Sequence, residues 1–154
     1  MLMNEQYAVN NEIRDFELFK EFSPKLKLKD LGRLEDKKEF DASGYTQDNR
    51  YVEIELKNRD ITVNQYPSIM IEPYKLAYAR ENKDRIPLYV NFTRDGYVIL
   101  FNLHNVGRLN ERNFNIPSKL YERVKESKRY EIPIQKAWIY EKVGNKYKLV
   151  KIGA

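Results

Sequence analysis

The 154-residue chain contains no cysteine and a single histidine, His104. Disulfides and thiolate metal sites are therefore excluded, and a bound metal would have to be held by oxygen or by that one imidazole. No apolar run approaches the roughly 20 residues that a membrane-spanning helix needs. The N-terminal Met1-Leu2-Met3-Asn4-Glu5-Gln6 lacks the basic-then-apolar order of a secretory leader, so the expectation is a soluble, cytoplasmic protein without membrane association. Six glycines and six prolines are too few for a flexible linker or low-complexity tract. One domain spanning 1–154 is expected, large enough to bury a core.

Charge is what the chain has in quantity. One third of the residues are charged, with a net charge of +5 and a sequence pI near 9.2. Together with 12 tyrosines, this suits a polyanionic partner such as nucleic acid.

Charge and apolar pattern come together between Phe40 and Lys57. A short apolar segment carries Asp41, a polar turn follows through Gly44 and Asn49, and a second segment alternates. Val52, Ile54 and Leu56 fall on one face and Glu53, Glu55 and Lys57 on the other, the period of a strand, so the stretch reads as a hairpin. Acid-x-Lys occurs five times in the chain, at Glu35/Lys37, Asp36/Lys38, Glu55/Lys57, Glu81/Lys83 and Glu126/Lys128. Only Glu55/Lys57 lies within an apolar strand with an upstream Asp on the neighbouring one.

An Asp followed by Glu-x-Lys on the next strand resembles the active site of the PD-(D/E)xK nuclease superfamily, although Phe40 stands where the family pattern has proline. The resemblance implies that Asp41 and Glu55 bind Mg²⁺ or Mn²⁺, that the Leu56 carbonyl completes the shell, and that Lys57 orients the attacking water. It also implies a restriction-endonuclease-like α/β fold: a three-layer αβββαβ core, with a central mixed sheet flanked by helices, over about residues 4–103. The remainder, 104–154, would be an extension with a β-hairpin. DNA is the implied partner and phosphodiester hydrolysis the implied reaction. Small members such as Holliday junction resolvases suggest a homodimer. The alternative is a catalytically inactive module of the same fold that binds DNA or protein.

Residues 4–22 read as an amphipathic helix closed by Ser23-Pro24, with Val9, Ile13, Phe16 and Phe19 on one face and Glu12 within it. Glu12 is either an auxiliary metal ligand, as the first helix supplies in many superfamily members, or an acid at the edge of the stripe whose head reaches water. Glu53 is a further acid or the partner of a neighbouring lysine. A second helix is expected to start between Ser68, as its cap, and Pro73, in its first turn, with Ile71, Tyr74 and Tyr78 as its apolar stripe and Lys75 beside it; Lys75 is either an ordinary surface lysine or, as the resemblance implies, a residue that points into the site.

Lys25, Lys27 and Lys29 alternate in an extended or edge-strand segment, as phosphate contacts or as charges that keep an edge from aggregating. Arg59, Arg108 and Arg112 complete the expected nucleic-acid-binding set. The clearest hairpin spans Pro87–Leu103 around Asp95-Gly96, ending at His104, which reads as structural. Residues 105–130 read as irregular, with a short helix over 118–128. A last hairpin, 132–143 and 146–152, turns at Gly144-Asn145 with Trp138 as its core anchor.

Overall fold

The structure is a computed structural model and describes residues 3–35, 39–118 and 123–153. Helix α1 (Met3–Phe22) is followed by a single 3-10 turn at Ser23–Leu26 and then by strands β1 (Lys29–Arg33), β2 (Ala42–Tyr45) and β3 (Tyr51–Arg59). Strand β4 (Ser68–Ile71) leads into helix α2 (Pro73–Glu81). Strands β5 (Ile86–Thr93) and β6 (Tyr97–Asn102), β7 (Asn110–Ser118) and β8 (Arg123–Pro133), and β9 (Trp138–Val143) and β10 (Lys146–Lys151) complete the chain.

A seven-stranded sheet has the order β1-β2-β3-β5-β6-β9-β10, and a second sheet has the order β4-β8-β7. Strands β3 and β5 run parallel, with Glu55 opposite Tyr89 and Lys57 opposite Asn91. The other pairings of the large sheet are antiparallel. A parallel pair needs a crossover, and the segment carrying β4 and α2 provides it. The succession α1, β1-β2-β3, α2, β5 is the αβββαβ order expected, in a mixed sheet flanked by two helices.

The two faces of β3 divide the core. Val52, Ile54 and Leu56 pack with Phe19 and Phe22 of α1. On the opposite side Tyr89, Ile99 and Phe101 pack with Leu76 and Ala79 of α2 and with Ile69, Ile71 and Ile132 of the second sheet. Three layers result, with α1 outermost on one side and α2 plus the small sheet on the other. Phe22 also meets Tyr140 and Tyr147 edge-on, at centroid distances of 4.9 and 5.2 Å, so the C-terminal hairpin shares the core of the first helix.

Helix α2 starts at Pro73, the later of the two starts expected, because its missing N–H is no loss in a first turn. Other expectations are corrected. Residues 68–71 are β4, paired with β8. The buried face of α2 is Lys75, Leu76 and Ala79, while Tyr74 is 59% exposed. Residues 123–128, expected in a helix, form part of β8, and 119–122 lie outside the described residues. Lys25 and Lys27 belong to the 3-10 turn and its left-handed cap, with Lys27 at φ 53°, so only Lys29 enters a strand. Trp138 is 38% exposed; Ile139, Tyr140 and Tyr147 anchor the last hairpin instead. Ile132 lies in β8, separated from β9 by a 3-10 turn at Ile134–Lys136. On α1, from Val9 onward, the buried residues are Phe19 and Phe22, and Ile13 is exposed.

Candidate active site

Strand β2 is short, and its ending opens the site. Its ladder to β3 closes at Ala42 opposite Ile54, and one further bond runs from the Asp41 N–H to the Ile54 carbonyl at 2.9 Å. Beyond it the chain turns away toward β1, with the Leu34 N–H donating to the Asp41 carbonyl. Leu56 thus has no strand partner on that side, and its N–H donates to Asp41 Oδ2 at 2.8 Å. In an extended strand the N–H and C=O of one residue point the same way, so the Leu56 carbonyl faces the same gap.

A cavity of about 360 Å³ occupies the gap, lined by Asn11, Glu12 and Asp15 of α1, Asp41, residues 55–58 of β3, and Lys75 of α2. Glu55 is 1% exposed. Its Oε2 is in contact with Lys75 Nζ, which also donates to the Glu39 carbonyl at 3.2 Å. Its other oxygen, Oε1, is buried and has no hydrogen-bond partner, and Asp15 Oδ1 is in the same condition. Buried carboxylate oxygens without a donor are rare, because desolvation is not offset.

The electrostatics follow from this crowding. Burial foremost, then the neighbouring Asp41 carboxyl, which can share a proton with a protonated Glu55 and whose charge opposes ionisation, push the Glu55 carboxyl up to about 8, outweighing the opposing pull of Lys75. Asp15 is likewise raised, by burial foremost and against the nearby charge of Arg14; Asp41 adds to the rise, whereas Asn58 and Lys57 oppose it. Burial works against the Lys75 ammonium, but contact with Glu55 leaves its affinity for a proton raised. Lys57 stands at the rim, half-exposed, with Nζ 3.7 Å from Glu72.

The cavity therefore gathers Asp41, Glu55, Leu56, Lys57, Glu12 and Lys75. The remaining sequence candidates lie elsewhere. Glu53 is on the same strand face but is taken by Arg85 at 2.6 Å and the Tyr78 hydroxyl at 2.9 Å, which makes it a buried structural anion. Arg59 is bound to Asn91, Tyr89 and the Met70 carbonyl, and Arg112 pairs with Glu131 at 2.7 Å; both lie outside this cavity. Lys25, Lys27 and Arg108 are exposed and Lys29 is half-buried, all outside the cavity. His104 is exposed and bonds the Ala79 carbonyl.

Asp15 is the residue that the sequence reading missed. Glu12 is the more exposed acid, 3.5 Å from Arg33, whereas Asp15 buries an oxygen in the cavity. A signal was present: Asp15 precedes Phe19 by four residues and Phe22 by seven, on the stripe that these phenylalanines define. Centring the stripe on Ile13 shifted it toward Glu12.

Among the described residues, no three acidic or histidine side chains are close enough to form a ready-made metal cage. The donor chemistry nevertheless fits a hard cation. The two unpartnered oxygens belong to Asp15 and Glu55, with Asp41 and the Leu56 carbonyl beside them, and Mg²⁺ and Mn²⁺ favour oxygen ligands while keeping several waters.

No family model and no curated protein matches the chain. Among solved structures it is similar to Hjc, a Holliday junction resolvase from the archaeal hyperthermophile Archaeoglobus fulgidus. The identity is 14%, over 80% of this chain and 87% of that one, with a TM-score of 0.45.

Proposed function

We propose that the protein is a single-domain, metal-dependent deoxyribonuclease that hydrolyses phosphodiester bonds in this cavity. The observation that carries the reading is the pair of buried, unpartnered carboxylate oxygens, Asp15 Oδ1 and Glu55 Oε1, beside Asp41.

Asp41, Glu55, Asp15 and the Leu56 carbonyl would hold Mg²⁺ or Mn²⁺, with Glu12 an outer acid at most. Such an ion, when bound, polarises phosphoryl oxygens and lowers the pKa of water. The chain's own residues prepare the rest. The Leu56 N–H fixes the Asp41 carboxylate, so its second oxygen is presented in one direction. Lys75 holds one oxygen of Glu55 and leaves the other free. Lys57 places an ammonium at the mouth, where it orients a water and neutralises charge that develops on a phosphate. The net charge of +5 and the exposed Lys25, Lys27 and Arg108 supply sequence-independent attraction to a DNA backbone.

A catalytically silent DNA-binding module of the same fold is the second reading, favoured by the Lys75–Glu55 contact and the absence of a ready-made cage among the described residues. Cleavage of a labelled panel of single strand, duplex, flap and four-way junction, with Mn²⁺ or with EDTA, separates the two. The nuclease reading expects metal-dependent cutting that falls by about 100-fold or more in Asp41→Ala and Lys57→Ala. Binding with no cutting of any substrate by folded protein selects the silent module. Sedimentation of the same preparation tests the homodimer.

A further inference from the structure

A second cavity, of about 510 Å³, lies further along β3 between the 61–67 connection, β4 and the β7–β8 hairpin. Its walls include Ile61, the 53%-exposed ring of Tyr66, and Met70, with Arg59, Arg112 and Glu131 also lining it. Arg112 is held by Glu131. Arg59 differs. Its partners, Asn91 Oδ1 at 2.7 Å, the Met70 carbonyl at 3.0 Å and the Tyr89 hydroxyl, are all neutral, and among the described residues no carboxylate lies within salt-bridge distance of it. A partly buried guanidinium without a counter-charge, at the wall of a cavity with an aromatic ring and apolar side chains, matches a ligand that has one anionic and one flat apolar end.

The place of this cavity identifies the ligand. Lys57 and Arg59 are two residues apart on β3 and lie on the same strand face, about 7 Å apart from the strand rise. Lys57 borders the first cavity and Arg59 the second. That separation is about twice the 3.4 Å axial spacing of charges along one strand of a duplex, so the phosphate next to the one at the first site is within reach of Arg59. We propose that the second cavity receives an unpaired nucleotide next to the bond held at the first site, its phosphate on Arg59 and its base stacked on Tyr66. The protein would then select DNA with an unpaired nucleotide at a flap or branch over continuous duplex. This inference rests on the nuclease reading for its substrate, and its test is independent of cleavage.

The test is binding of the full chain in EDTA, by fluorescence anisotropy, to two labelled DNAs of equal length, one a continuous duplex and one carrying a single-nucleotide flap. Wild type is expected to prefer the flap by about tenfold or more, the scale of one base–aromatic stack. Tyr66→Ala should remove that preference without changing affinity for the duplex. Tyr66→Trp should retain the preference, with its indole emission quenched by the flap DNA alone. Tyr66 is exposed, and among the described residues its hydroxyl accepts one hydrogen bond, from Gln65 at 3.3 Å, so the substitution spares the fold. Equal affinity of wild type for both DNAs, or equal losses on both in Tyr66→Ala, overturns the inference while leaving the nuclease reading standing. No binding to either DNA overturns both.

Discussion

Metal binding should be strongly pH-dependent through Glu55. Its carboxyl is pushed up to about 8 by burial and by Asp41, whereas a cation requires the carboxylate. A group with that pKa is ionised about 3% of the time at pH 6.5 and about 75% at pH 8.5. Proton competition alone should therefore tighten Mn²⁺ binding about 25-fold between these values and then level off. Titration calorimetry in two buffers of different ionisation enthalpy measures both the affinity and the protons released. Glu55→Gln should bind more weakly and lose most of the slope. His104 lines a different cavity. An affinity constant within about threefold from pH 6.5 to 8.5, with no proton release at the lower value, would refute this account of Glu55.

Linkage gives a companion result for the metal-free protein. The folded-state pKa of Glu55 is raised, so its bound proton contributes stability that is fully present below about 4.5 and is lost as pH rises toward 8; urea denaturation at several pH values should show this decline, and saturating Mn²⁺ should reduce it. Asp15→Asn should weaken metal binding by about 10- to 100-fold, the scale seen when groups that tune a metal site are lost, whereas Glu12→Gln should change it by less than about threefold; equal effects of the two would contradict the placement of α1. Glu53→Ala should lower stability by about 3 kcal/mol by leaving Arg85 without its buried partner, a fall in Tm of about 6–12 °C, with metal affinity unchanged. Phe22→Ala should cost about 3–5 kcal/mol, because that ring joins α1 to Tyr140 and Tyr147.

What could be read from the chain was whatever is specified locally. The 2-residue alternation of 52–57 marks β3, Asp95-Gly96 marks the β5–β6 turn with Gly96 at φ 86°, and Ser23-Pro24 marks the end of α1. The second sheet was invisible for a physical reason. Strands β7 and β8 carry Asn110-Glu111-Arg112-Asn113 and Lys128-Arg129, polar residues that avoid the period of a half-buried strand, and β4 pairs with β8 across more than 50 residues of chain. Such pairing is decided by tertiary context rather than propensity. At the site, Asp41, Glu55 and Lys57 were legible because a hairpin brings them together, whereas Asp15 and the buried pose of Lys75 depend on how two helices dock on the sheet. The partly buried setting of Arg59 could not be read from the chain, because its partners Asn91, Tyr89 and Met70 are distant in sequence.

The most direct test of the central claim is a crystal soaked in Mn²⁺, with anomalous difference density measured at the manganese edge. A peak is expected in the cavity, within coordination distance of Asp41, the Glu55 oxygen not held by Lys75, and Asp15, and it should disappear in Asp41→Ala. Density absent from that cavity in a protein that still cuts DNA with Mn²⁺ would place the chemistry elsewhere and contradict that claim.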